Sequence, residues 1–101
     1  MPSFLTKRIK TIRTKLGYKQ EYVALQLGIT QQAYSYIETN NADYSINTVK
    51  RIADIFEVDY HFLINQDIPI NDVTIDIFRK NKVSDYTMKF LEINFSMFKQ
   101  Q

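Results

Sequence analysis

The sequence contains no cysteine, which excludes both a disulfide framework and a thiolate metal site. Histidine is nearly as scarce, since His61 stands alone and cannot form a metal cluster by itself. The only two glycines are Gly17 and Gly28, so there is no glycine-rich loop to cradle a phosphate. The carboxylates are scattered, and no nucleophile has a base nearby in the pattern. Neither an enzyme site nor a cofactor is expected. Long apolar runs are also missing, and nothing approaches the roughly 20 residues of a membrane span. The opening M-P-S-F-L-T-K-R-I-K has no long apolar run after its charges and does not read as a signal peptide. The expectation is a soluble cytoplasmic protein without a membrane partner.

What is present suits one small domain. The chain has 101 residues, 45% of them hydrophobic, and a net charge of +2, enough to bury one core but not a second full one. The charge is unevenly placed. Lys7, Arg8, Lys10, Arg13, Lys15 and Lys19 form a run of six basic residues with no acid among them. From Gln66 onward, five basic and five acidic residues cancel. Basic charge gathered on one segment points to a polyanion contact, although a solvated basic helix face fits the run equally well.

Helical periodicity carries most of the first two-thirds. Leu5, Ile9, Ile12 and Leu16 recur at helical spacing and predict a first helix from near Ser3 to before Gly17. Arg8 and Lys15 fall off that stripe and are expected to face water or phosphate, whereas Arg13 lies at its edge and needs a partner. Further on, Ser45 is expected to cap a fourth helix whose stripe is Ile46, Val49, Ile52, Ala53 and Phe56. Asp59 is expected to cap a short fifth helix, Tyr60 to Ile64.

The stretch Q-E-Y-V-A-L-Q-L-G-I-T-Q-Q-A-Y-S-Y-I-E, residues 20–38, lies between these helices and organises the rest. Tyr22, Val23 and Leu27 place apolar bulk along one short helix. Gly28 falls where a left-handed, helix-ending residue is required, and Ile29 fills the angle. Thr30 then caps a second helix that carries Ala33, Tyr34 and Ile37 inward. Helices joined this tightly must cross steeply, as in a helix-turn-helix, whose second helix enters a DNA major groove. Asn40 is the expected helix-ending residue before a turn-rich loop, residues 39–44.

The pattern changes after Asn65. Ile68-Pro69-Ile70-Asn71-Asp72 reads as a linker. Val73, Ile75 and Ile77 alternate as in a strand, but a lone strand would have no partner, so residues 74–80 are read as a short helix. Ser84 caps a last helix running to about Lys99, which is apolar on more than one face. The expected fold is all-α: a five-helix domain over residues 1–65, followed by a linker and helical C-terminal tail over residues 66–101. The apolar load of the tail, above all Phe90, Leu91, Phe95 and Phe98, marks it as a dimerisation element.

Ile9 to Ile64 resembles the Cro- and phage-repressor-type helix-turn-helix regulators, the XRE type. The resemblance is carried by Gln20-Glu21, Ala24, Leu27-Gly28-Ile29, Thr30, Ser35, Ile37-Glu38, Ser45, Thr48 and Ile52-Ala53. Thr30-Gln31-Gln32 looks like the recognition-helix opening of a lambdoid phage repressor. The chain departs from the family's pattern at Asn40, where Gly is usual, at Thr39, often basic, and at Tyr44, often Pro. Residues 39–44 carry no positive charge and one Asp.

The resemblance implies double-stranded DNA as the partner and assigns roles by position. Gln31 and Gln32 open the recognition helix, and a glutamine amide matches the N6 donor and N7 acceptor of adenine. Ala33 and Tyr36 complete the base-contact candidates. Lys19, Gln20, Thr39 and Asn41 are candidates for phosphate contact, which sets register but reads no sequence. Arg13 and Glu38 are expected to pair across the first and third helices as a structural ion pair. These features imply a dimeric, sequence-specific transcriptional regulator, a repressor. The alternatives are an antitoxin or restriction–modification controller with the same domain, whose tail also binds a protein, and an interaction module that has lost DNA binding.

Overall fold

Six helices make up the architecture of the described residues, 3–39 and 45–79, in a computed structural model of the chain. The first, α1, spans Ser3–Leu16 and turns Leu5, Ile9 and Ile12 into the core, with Leu16 packed at its edge. A tight turn at Gly17 leads to α2, Gln20–Leu27, which buries Val23, Ala24 and Leu27. Its neighbour α3, Gln31–Thr39, buries Tyr34, Ile37 and Glu38. The fourth, α4, spans Ile46–Phe56 and is followed by α5, Tyr60–Ile64, and α6, Asp72–Phe78. The N-cap residues behave as sequence chemistry dictates. Ser45 Oγ accepts from the Thr48 amide at 3.2 Å, and Asp59 Oδ1 accepts from the His61 amide at 2.7 Å.

α1 packs on α3 and α5, α2 packs on α3 and α4, and α4 packs on α5. The all-α fold expected from the periodicities is what forms. Val23, Tyr34, Val49, Ile52, Phe56, Phe62 and Leu63 fill one core with the α1 stripe. Several inward assignments are overturned, however. Ile46, the first residue of α4, is exposed, because that position turns outward before the stripe begins at Val49. Ala33 is exposed as well, and Tyr22 presents much of its ring to solvent while its other side meets Tyr18, with ring centroids 5.2 Å apart.

Arg8 is the largest correction. Read as a surface residue, it is buried. Its Nε donates to the Leu63 carbonyl at 3.2 Å, its Nη1 to the Ile68 carbonyl at 2.8 Å, and its Nη2 to the Phe62 carbonyl. The guanidinium also lies 5.3 Å from the Phe62 ring centroid, an attractive cation–π arrangement. Arg8 thereby satisfies two carbonyls at the end of α5, which helix geometry leaves without internal partners.

That anchoring extends to the segment read as a linker. Ile68 and Ile70 pack against the core, Ile75 is buried, and Phe78 stacks on Phe62 at 5.0 Å with nearly parallel rings. Residues 72–78 are helical, as preferred over a strand, and a capping box defines their start. Asn71 Oδ1 accepts from the Thr74 amide at 2.9 Å, and Thr74 Oγ1 accepts from the Asn71 amide at 3.0 Å. Beyond α6 the chain is fastened to the α4–α5 turn. The Asp59 amide donates to the Phe78 carbonyl at 2.8 Å, and Val58 forms a β-bridge with Arg79. No helix among the described residues is long and apolar enough to cross a membrane.

Candidate nucleic-acid interface

The turn between α2 and α3 depends on one backbone conformation. Gly28 ends α2 at φ +74°, and the Gly28 and Ile29 amides close onto the Leu25 and Ala24 carbonyls at 3.1 and 3.0 Å. A Cβ at this position would meet nothing within 4 Å, so the requirement for glycine comes from its positive φ and not from crowding. Thr30 then caps α3, its Oγ1 accepting from the Ala33 amide at 3.1 Å.

On α3 the helical period divides the side chains cleanly. Tyr34, Ile37 and Glu38 enter the core, while Gln31, Gln32, Ala33, Tyr36 and Thr39 form an exposed arc. Ser35, half-buried, lies on the same arc one turn beyond Gln31 and Gln32. It carries part of the family resemblance but is not among the contact candidates, although the 3.6-residue period places it on this arc. The arc is polar, short and unobstructed by the described residues. It presents amides, a phenol and a methyl group, a set able to meet base edges by hydrogen bonding and apolar contact.

Behind the arc, one buried ion pair holds α3 against α1. Arg13 Nε and Nη2 donate to the two Glu38 carboxylate oxygens at 2.7 and 3.0 Å, a bidentate arrangement. The Glu38 side chain is 0% exposed and that of Arg13 10%. The third donor, Arg13 Nη1, reaches the Tyr18 carbonyl at 2.7 Å and so holds the α1–α2 turn as well. Hydrogen bonding to Glu38 raises the Arg13 pKa, which outweighs the opposing effect of burial. Tyr34 lies beside this pair. Burial, and then the Glu38 carboxylate, push its phenol well above the ordinary range, and its hydroxyl has no hydrogen-bond partner of good geometry.

The phosphate-contact candidates fare differently. Lys19 is exposed at the N-cap of α2, with no side-chain capping bond. Thr39 is exposed at the end of α3, its hydroxyl donating to the Ser35 carbonyl at 2.8 Å. Gln20 is turned partly inward, where its Nε2 donates to Glu38 Oε1 at 3.2 Å and adds a third donor to that carboxylate. Asn41 and the helix-ending Asn40 lie outside the described residues, as do the dimerisation candidates Phe90, Leu91, Phe95 and Phe98.

The basic run also divides. Arg8 and Arg13 flank opposite edges of the α1 stripe and are consumed internally, and Lys15 Nζ stands 3.9 Å from Asp72 Oδ1. Lys7, Lys10 and Lys19 remain exposed. Arg51, on α4, donates to the Leu27 carbonyl at 3.0 Å and ties down the end of α2. Among the described residues, no group of three His, Cys, Asp or Glu side chains is placed to hold a metal ion.

No solved structure gives a significant match to the chain. A curated relative is an uncharacterized HTH-type transcriptional regulator derived from the SPbeta prophage of Bacillus subtilis (strain 168). It is 36% identical over 58 residues, which cover 57% of this chain and 54% of the relative. The chain thus aligns with about half the length of that protein. A family model described as helix-turn-helix matches residues 9–63, a span that contains the Gly28 turn, the exposed arc of α3 and both members of the Arg13–Glu38 pair. This protein therefore belongs to the helix-turn-helix family, within its XRE type.

Proposed function

We propose that this chain is a sequence-specific DNA-binding transcriptional regulator, a cytoplasmic homodimer acting as a repressor, with α3 placed in the major groove. The observation that carries this reading is the exposed polar arc of α3, backed by a buried bidentate ion pair. A reading helix must be held rigidly to discriminate bases, and Arg13–Glu38 fixes α3 from behind without occupying its outer face. Gln31 and Gln32 read base edges, with Ala33 and Tyr36 beside them. Lys19, Thr39, Asn41 and the start of α2 at Gln20 contact phosphates on either side. A dimer formed through the C-terminal tail sets two such helices about one DNA turn apart. The printed name of the Bacillus subtilis relative, a transcriptional regulator, points the same way.

Selection of bound fragments from random DNA tests the proposal directly. The expected outcome is a two-fold-related site whose binding weakens steeply with salt. On that site, Gln31→Ala and Gln32→Ala each reduce discrimination by about 1–3 kcal/mol while leaving thermal unfolding unchanged. Failure to enrich any sequence, together with no salt-dependent retardation of DNA, would overturn the reading.

A further inference from the structure

The outer face of α3 carries no charge. No lysine or arginine stands on the helix, and none occurs from Gln20 to Val49, across α2, α3 and the start of α4. The one carboxylate of α3, Glu38, is buried and bonded to Arg13 Nε and Nη2. What remains on the arc is two amides, a methyl group and the hydroxyls of Ser35, Tyr36 and Thr39. The Thr39 hydroxyl already donates to the Ser35 carbonyl. The arginines stand elsewhere: Arg8 and Arg13 donate within the core, Arg51 donates to the Leu27 carbonyl, and Arg79 lies beyond α6.

The base pairs differ in what they require of such a surface. In the major groove guanine presents two acceptors, O6 and N7, which the donors of Arg or Lys match, and cytosine presents an N4 donor, which a carboxylate matches. The arc of α3 offers neither group. A glutamine amide set against guanine brings its carbonyl oxygen up to an acceptor, or leaves that oxygen desolvated and unpaired. Against adenine the same amide donates to N7 and accepts from N6, so both of its ends are satisfied. The Ala33 methyl is an apolar partner for the C5-methyl of thymine.

Given the major-groove reading of α3, on which this rests, we infer that the half-site it reads consists of A·T pairs, with adenines set by Gln31 and Gln32 and a thymine by Ala33. The hydroxyls of Ser35 and Tyr36 donate and accept alike, so they add contacts without choosing between the pairs.

Selection from a random duplex pool with the full chain, followed by titration of the enriched site, tests this. The pairs that Gln31→Ala and Gln32→Ala relax are those the amides read, and they are expected to be A·T. Both side chains are exposed, so the helical circular dichroism of the variants matches wild type. Replacing one such pair by G·C, or by inosine·cytosine, is expected to weaken binding about 5- to 150-fold. Inosine presents the O6 and N7 of guanine in the major groove but lacks its N2 amine, so its pair keeps the minor-groove pattern of A·T. Unchanged affinity for the inosine duplex would therefore overturn direct reading by α3. Glutamine-dependent pairs that are G·C, or no pair relaxed by either variant, would overturn it as well and leave sequence-specific binding standing. A pool in which no sequence is enriched would overturn the DNA-binding reading itself.

Discussion

Replacing Arg13 with alanine removes three hydrogen bonds at once, two to the Glu38 carboxylate and one to the Tyr18 carbonyl. The Glu38 side chain, 0% exposed, keeps only the Gln20 amide at 3.2 Å. Removing one partner of a buried pair costs about 3–5 kcal/mol, because the charge left behind stays desolvated. Arg13 is nearly as enclosed as its partner, so solvent screening reduces this little. One kcal/mol shifts the melting temperature of a domain this size by roughly 4–8 °C, which gives a fall of roughly 12–40 °C. Total stability for small domains is about 5–15 kcal/mol, so the variant is expected to be marginally folded at best. The decisive measurement is a thermal-unfolding cycle with Glu38→Met and with Arg13→Met/Glu38→Met. The paired methionines should recover most of the loss, since an apolar pair of similar volume carries no desolvation cost. If the pair acts from behind α3, the double variant also keeps its affinity for the selected DNA within about threefold, an effect of roughly 0.7 kcal/mol or less. An Arg13→Ala melting temperature within 4 °C of wild type, or a coupling energy near zero across the cycle, would refute the reasoning.

Other variants probe the remaining buried polar groups. Arg8→Met strips the donors from the Phe62, Leu63 and Ile68 carbonyls, and a loss of about 2–4 kcal/mol is expected from bonds to a charged donor. Hydrogen exchange should then accelerate over residues 62–79 before it does so in α3; uniform acceleration would argue against a local clasp. Tyr34→Phe deletes a buried hydroxyl that lacks a partner, and it should raise stability by about 1–3 kcal/mol, read as a higher melting temperature. The same variant carries a pH signature. The folded state raises the Tyr34 pKa above its ordinary 10.0, so above that pH the unfolded phenol ionises while the folded one stays neutral. Wild-type stability therefore falls by up to about 1.4 kcal/mol per pH unit from this group, and Tyr34→Phe lacks that slope. Parallel stability curves for the two proteins between pH 9 and 11 would contradict it.

Arg8 and Arg13 show what the sequence made legible and what it left hidden. Both sit at the edges of the Leu5–Ile9–Ile12 stripe, and both end up buried. Arg13 and Glu38 each showed in the sequence that they need a partner, one at the edge of the stripe and the other a carboxylate at the end of an apolar run, and the family resemblance matched the two. The partners of Arg8 are backbone carbonyls. Every residue has a carbonyl, so nothing in the sequence marks which three converge, and a basic residue off the stripe reads as surface. The same distinction runs through the rest of the fold. The Gly28 turn and the caps Thr30, Ser45 and Asp59 were readable because each uses a residue type suited to one local conformation. Residues 66–79 were less so. A seven-residue helix is too short to show a period of 3.6, and alternation at Val73, Ile75 and Ile77 fits a strand equally well. What decides is long-range: the stack of Phe78 on Phe62 and the bond from the Asp59 amide to the Phe78 carbonyl. The exposed arc of α3 lay between these cases. The exposure of Gln31, Gln32 and Tyr36 followed from the helical period once Thr30 fixed the start of α3, and their roles from the family resemblance, but the inward turn of Gln20 toward Glu38 depends on the α1–α3 packing that brings Arg13 to the same carboxylate. Local signals thus located α3 and its exposed arc. The two arginines that set its surroundings act across the core, one on α3 and the other on the segment leading into α6.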